Sequence, residues 1–193
     1  HEYAISRADV TFNLGTNEMQ IHRNESEPWS VTLVETGQDS MTGGRIKRAA
    51  KYVKGDTFLC TYGDGVSNVD ITATIEFHRK HGKEATVTAV QPPGRFGAFS
   101  LQADQTLVDS FMEKPQGDGA WINGGFFVLD RKVLDRIHGD DSVFEQEPMR
   151  SLSADGQLHA WRHTGFWQPM DTLRDKHVLE ELWASGKAPW KSW

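Results

Sequence analysis

The chain has 193 residues, 37% hydrophobic, 10% aromatic and 25% charged, with a net charge of −6. That length and balance suit one folded domain with a sizeable core and argue against disorder, while the net negative charge gives no support for a nucleic-acid partner, which needs a basic surface. No run approaches the ~18–20 apolar residues of a membrane-spanning helix, so no membrane partner is expected, and a lone cysteine, Cys60, excludes an internal disulfide and fits a reducing compartment, the cytoplasm.

The chain opens at His1 straight into Glu2 and Tyr3, without a turn or capping signal, which reads as a cut within a longer protein. Val10–Leu14 and Val31–Val34 are strand-like. Gly43 and Gly44 then precede a helix with Ile46, Ala49, Ala50 and Val53 on its apolar side. Residues 56–62 read as a buried strand stopped by Gly63-Asp64-Gly65, with Cys60 as a packed, inert thiol. Asp70 is placed to cap a helix that carries Ile71, Ile75 and His78 on one face and stops at Gly82. Ala85–Val90 forms the next strand, so residues 56–90 make a βαβ unit, expected to be parallel and right-handed.

Leu107–Met112 and Trp121–Leu129 read as further strands, and Arg131–Ile137 as a short helix. Ser142–Ser153 is expected to be helical up to Gly156. Asp171–Ser185 is expected to be an amphipathic helix carrying Leu173, Val178, Leu182 and Trp183, with Gly186 as its stop. This alternation predicts an α/β fold, a single domain over residues 1–193 around a Rossmann-like core with a mixed, mainly parallel sheet. The C-terminal tryptophans Trp183, Trp190 and Trp193 suit packing or an interface, in line with a homo-oligomer.

Several loops could carry chemistry. Asp64 lies between two glycines at the carboxyl end of a strand, where open α/β sheets bind ligands, and a hard carboxylate suits Mg²⁺ beside phosphate oxygens. An ordinary Asp-Gly turn explains the same residues. Asp171 stands at a helix start, where N-capping alone would account for it. The glycine pair 43–44 at a helix start could bind an anion, aided by Arg45, although a solvated basic face explains it equally. Glu113 and Asn123 could meet sugar hydroxyls and Lys114 a phosphate, although turns and strand edges explain these segments too. His78 and His81, three apart on a helix, are too few for a zinc site.

Taken in order, Ser-Met-Thr-Gly-Gly-Arg (40–45), Tyr-Gly-Asp-Gly-Val (62–66), Pro-Pro-Gly-Arg-Phe-Gly-Ala (92–98), Glu-Lys-Pro (113–115), Ile-Asn-Gly-Gly-Phe-Phe-Val-Leu (122–129), Glu-Gln-Glu-Pro (145–148) and Gly-Phe-Trp-Gln-Pro-Met-Asp-Thr-Leu-Arg-Asp (165–175) resemble the sugar-1-phosphate nucleotidyltransferases. Within that family the chain is most similar to the glucose-1-phosphate cytidylyltransferases, through to the tail Lys-Ala-Pro-Trp-Lys (187–191). The resemblance implies transfer between CTP and α-D-glucose 1-phosphate to give CDP-glucose and diphosphate, for the deoxysugars of surface polysaccharides. It implies Mg²⁺ on Asp64 and Asp171, with these two and Lys114 as catalytic residues. It implies nucleotide contacts at Ser40, Arg45 and Gly63. Sugar-phosphate contacts would fall at Gly97, Glu113, Lys114, Asn123 and Gly124. The family opens with a strand and a loop holding Gly-Gly, Gly-Thr-Arg and Pro-Lys-Pro, which this sequence lacks, a difference of ~30 residues or more. The chain by itself is therefore expected to be inactive and its full-length parent active, since losing even one preorganised donor costs ~10²–10³ in rate. A uridylyl or thymidylyl enzyme, or a non-catalytic sugar-phosphate-binding or oligomerising fragment, are the alternatives.

Overall fold

Alternating apolar and polar residues near the start of the chain build a hairpin. β1 (Ala8–Asn13) pairs antiparallel with β2 (Glu18–Asn24), which sets Val10 against Ile21 and Phe12 against Met19 on one face. Its turn is closed by Asn13, whose Oδ1 accepts the N–H groups of Gly15 at 3.0 Å and Thr16 at 3.2 Å. The computed structural model describes residues 7–24, 29–92, 98–101, 108–112 and 121–192. The hairpin belongs to one compact unit, His1–Glu35, and the rest of the chain, Thr36–Trp193, forms a second. Val31–Val34, expected as a strand, has no strand pairing.

In the second unit, α1 (Thr42–Ala49) runs into a 3₁₀ turn at Ala50–Tyr52. There follow β3 (Thr57–Thr61), β4 (Gly65–Ser67), α2 (Ile71–His81) and β5 (Ala85–Val90). A short antiparallel pair, β6 (Ala98–Leu101) with β7 (Val108–Met112), precedes β8 (Ile122–Asp130). After a 3₁₀ turn at Arg131–Arg136 come α3 (Glu147–Ala154), β9 (Leu158–His163), β10 (Trp167–Pro169) and α4 (Leu173–Ala184).

The main sheet has the order β3-β8-β5-β9. It is mixed: β8 runs antiparallel to both β3 and β5, whereas β5 and β9 pair in parallel. β3, β5 and β9 therefore share one direction, as the βαβ reading requires, but β8 is inserted between β3 and β5. Among the described residues β3 is an outer strand, and Leu59 is 52% exposed rather than buried. β5 is buried along all six residues, as a strand flanked on both sides should be.

One side of this sheet carries the core. Val87, Phe127 and Leu129 pack with Val133, Ile137, Phe144 and Leu152 from the segments that follow β8. Phe127 meets Phe144 edge-on at 5.6 Å between ring centres, and Tyr62 meets Phe127 likewise at 5.8 Å. Helix α2 matches its expected ends: Asp70 accepts from the Ala73 N–H at 2.8 Å, and Gly82 takes a left-handed φ of 63°. Helix α3 starts five residues later than expected, at Glu147, because Pro148 has no N–H and fits only the first turn. Helix α4 presents less apolar surface to the interior than its sequence suggests: Leu179 is its buried residue, while Leu173, Val178 and Trp183 are exposed.

Candidate active site

β4 and β10 form a short antiparallel ribbon in which Gly65 faces Pro169 and Ser67 faces Trp167. The ladder continues one step further, because the Met170 N–H donates to the Asp64 carbonyl at 2.8 Å. This register carries the Gly63-Asp64 turn alongside Met170-Asp171, so two carboxylates 107 positions apart in sequence end on the same edge of one ribbon. Trp167 fixes the ribbon to the main sheet by donating its indole N–H to the Gly124 carbonyl at 2.8 Å.

Both Asp64 and Asp171 are exposed, and with the described residues neither side chain makes a hydrogen bond or ion pair. The capping explanation for Asp171 is displaced by one residue. Thr172 is the N-cap of α4, in a reciprocal box: its hydroxyl accepts the Asp175 N–H at 3.2 Å, and the Asp175 carboxylate accepts the Thr172 N–H at 3.0 Å. Asp171 is left with no structural duty. Among the described residues no group of three or more His, Cys, Asp or Glu could hold a metal. Two uncommitted oxygen donors on one edge nevertheless suit Mg²⁺, which usually takes one or two carboxylates and keeps its other positions for water and phosphate oxygens. A Cβ added to Gly63 would meet nothing within 4 Å, so the backbone beside Asp64 is open to a bulky ligand.

The glycine pair at the start of α1 does a different job from the one its sequence suggests. A Cβ on Gly43 would lie 2.7 Å from the Ser142 carbonyl oxygen, and one on Gly44 would lie 2.6 Å from the Asp140 Cα. These glycines let the helix press against the turns of residues 138–146. The Met41 N–H donates to the Asp140 carbonyl at 2.7 Å and the Gly43 N–H to the Ser142 carbonyl at 2.9 Å. Two of the donors at this helix start, those of Met41 and Gly43, are thus spent on the protein itself. Lys47 donates to the Ile137 carbonyl and Arg48 pairs with Asp140, so the basic face is largely committed too. Ser40 is buried, and Arg45 donates to the Thr36 hydroxyl at 2.8 Å and the Gln38 carbonyl at 2.9 Å while remaining exposed.

At the amino end of β8, the Asn123 amide oxygen accepts the Gly125 N–H at 2.9 Å, and its NH₂ donates to the Tyr62 hydroxyl at 3.2 Å. One N–H of that amide is left for a ligand. Gly125 has a φ of 83°, and a Cβ there would lie 2.6 Å from the Tyr62 ring. The Tyr62 hydroxyl in turn donates to Glu145, whose other carboxylate oxygen accepts from Thr42 at 2.6 Å. Burial, then the bond to Glu145, pushes the Tyr62 hydroxyl well above the usual tyrosine range. Sequence reasoning missed Glu145, Tyr62 and Thr42 as a linked set. The Glu-Gln-Glu-Pro run was visible, but its partners lie 83 and 103 residues away. Gly97, Glu113 and Lys114 lie outside the described residues.

A cleft of ≈ 200 Å³ lies beyond the carboxyl ends of β5 and β9, lined among others by Gln91, His163, Trp167 and Gln168. Elsewhere, His78 and His81 are structural. Both rings bond the fully buried Thr86 hydroxyl, at 2.9 and 2.7 Å, and His81 stacks on His159 at 4.3 Å between ring centres. Burial pushes the Cys60 thiol up, and Glu145 adds to this, so Cys60 is a poor nucleophile. No helix among the described residues is long and apolar enough to cross a membrane.

The nucleotidyl transferase family profile matches residues 13–168. A glucose-1-phosphate cytidylyltransferase of Salmonella typhi is 60% identical over 192 residues, which is 99% of this chain and 74% of that protein. A probable glucose-1-phosphate cytidylyltransferase of Bacillus subtilis is 38% identical over 193 residues, covering 100% of this chain and 74% of the relative. Among solved structures, HddC from Yersinia pseudotuberculosis superposes with a TM-score of 0.56 at 25% identity, covering 76% of this chain and 64% of its own.

Proposed function

The chain belongs to the nucleotidyl transferase family, among its glucose-1-phosphate cytidylyltransferases, and from that premise we propose that Asp64 and Asp171 are its Mg²⁺ ligands in the conversion of CTP and glucose 1-phosphate to CDP-glucose and diphosphate. The observation that carries the assignment is the β4–β10 register, which brings both carboxylates to one ribbon edge with neither engaged elsewhere. In this reading a sugar-phosphate oxygen attacks the α-phosphorus of CTP, and the bond to the departing diphosphate breaks in line. Transfers of this type ask the protein for position and charge more than for covalent chemistry. Bound Mg²⁺ would supply charge neutralisation at the α-phosphate.

The chain's own groups divide the remaining work. The open backbone at Gly63 admits the nucleotide phosphates, with Ser40 and Arg45 on the nucleotide side. The free N–H of Asn123, beside Gly124, is offered to a sugar hydroxyl. Gly97, Glu113 and Lys114 would complete the sugar-phosphate side, with Lys114 as its compact positive charge. The reading includes action in the cytoplasm as a homo-oligomer and use of the product in deoxysugar synthesis for surface polysaccharides, including O-antigen.

The test is Mg²⁺-dependent CDP-glucose formation by Asp64→Asn and Asp171→Asn. Each should lose about 10²-fold or more in kcat, the scale on which a preorganised charge contact acts. Near-normal turnover in either variant excludes that residue as an essential ligand.

A further inference from the structure

Three separate segments meet at one carboxylate. Glu145, in the turn before α3, accepts from the Thr42 hydroxyl through one oxygen and from the Tyr62 hydroxyl through the other. Thr42 opens α1, directly between Ser40 and Arg45. Tyr62 immediately precedes Gly63 and Asp64. Each hydroxyl is held from a second side: Thr42 Oγ1 accepts the Phe144 N–H at 2.9 Å, and the Tyr62 hydroxyl accepts from the Asn123 amide at 3.2 Å. The Tyr62 backbone N–H also donates to the Gly125 carbonyl at 3.2 Å, so the residue ahead of Gly63 is fixed at both its main chain and its side chain.

The fold does not need this carboxylate to hold α1 in place. The helix keeps its contacts to the Asp140 and Ser142 carbonyls and the Arg48–Asp140 pair. What Glu145 adds is a fixed spacing between the Ser40–Arg45 segment and the Gly63–Asp64 turn, which otherwise stand on a helix start and a strand end. We infer that Glu145 is a positioning residue of the nucleotide subsite, setting that spacing through Thr42 and Tyr62. The inference rests on the reading above that Arg45 and Gly63 contact the nucleotide.

Steady-state kinetics on the enzyme test it, with CTP and glucose 1-phosphate varied separately. Hydrogen bonds to a charged group hold their partners strongly enough that Glu145→Ala should raise the KM for CTP about tenfold or more. The KM for glucose 1-phosphate should move less than about threefold, because Asn123 keeps its bond to Gly125. Glu145→Gln, which retains one acceptor and the side-chain shape, should recover most of the loss. Tyr62→Phe removes one of the two links and should give a smaller shift of the same kind, which keeps the test available if Glu145→Ala does not fold. A folded Glu145→Ala with an unchanged KM for CTP, or with both KM values raised equally, overturns the inference. Arg45→Ala, measured in parallel, separates the two levels. If it raises the KM for CTP while Glu145→Ala does not, the subsite stands and the positioning role falls. If neither Arg45→Ala nor Glu145→Ala changes it, both fall.

Discussion

The β4–β10 ribbon and the start of α1 are both glycine-bearing turns with charged residues, yet they spend their polar groups in opposite ways. At the ribbon edge Asp64 and Asp171 are exposed and uncommitted, and Gly63 faces open space. At α1 the Met41 and Gly43 N–H groups, Lys47 and Arg48 are all bonded to residues 137–142, and both glycines are pressed against backbone. Polar groups without a structural partner are the ones available for a ligand, whereas groups bonded within the fold set positions. The glycines and cations of α1 thus clamp a helix start that keeps Arg45 exposed, whereas the ribbon edge leaves both carboxylates open to a ligand.

The largest expected effect separates the two regions by what they damage. Asp64→Asn and Asp171→Asn should leave stability within about 0.5 kcal/mol of the parent while removing turnover, since surface changes without partners cost little. Thermal unfolding followed by circular dichroism measures this, and a large drop in Tm would show a hidden structural duty. Gly44→Ala should do the reverse. Overpacking against the Asp140 backbone costs about 1–3 kcal/mol, which exceeds the ~0.5–1 kcal/mol that alanine gains over glycine inside a helix. A stabilised Gly44→Ala would mean that the 138–146 turns yield easily and that the clamp is looser than described.

A third expectation concerns pH. His81 Nδ1 accepts the Lys83 N–H at 2.9 Å, so that ring is neutral and donates its Nε2–H to the Thr86 hydroxyl, whose own proton is left for His78 Nδ1. Burial lowers the pKa of His78, with Asp130 opposing and Arg79 assisting. Burial also lowers His81, to about 4, and the neighbouring His159, His78 and Lys83 add to this. Both rings therefore bind protons less readily in the folded state than in the unfolded one. Their contribution is complete above the ordinary histidine range, near 6.5, and is lost as pH falls from there towards about 4. Tm should decline between pH 7 and pH 5, and His81→Asn should flatten that decline. An unchanged slope in the variant would remove His81 from the account. The smallest expected effect is at Lys176, whose pair with Glu180 at 3.3 Å lies on the exposed side of α4. Lys176→Ala should change stability by at most about 0.5 kcal/mol by chemical denaturation.

What could be read from sequence was local. Both ends of α2 follow from Asp70 and Gly82, because capping depends on a few adjacent residues. β5 was legible as an apolar run between a glycine and a proline. Pairings between distant segments were not legible: nothing near β3 or β5 announces that β8 lies between them, and three-residue strands such as β4 and β10 are too short to show a period. The candidate site divides the same way. Asp64 and Asp171 were visible as carboxylates at element ends, but their meeting depends on a ribbon register, and Asp171 was assigned a cap that Thr172 supplies. Glu145 was invisible as a link because its partners are remote and its neighbours, expected to be helical, form turns up to Glu147.

On the proposed assignment the ribbon edge holds the metal through two otherwise idle carboxylates, Asp64 and Asp171. Electron paramagnetic resonance of Mn²⁺, titrated into the enzyme with CTP present, tests it most directly. The parent should bind Mn²⁺ at least tenfold more tightly than the Asp64→Asn/Asp171→Asn double variant, with both proteins equally folded. Equal Mn²⁺ affinity in the two would contradict the account.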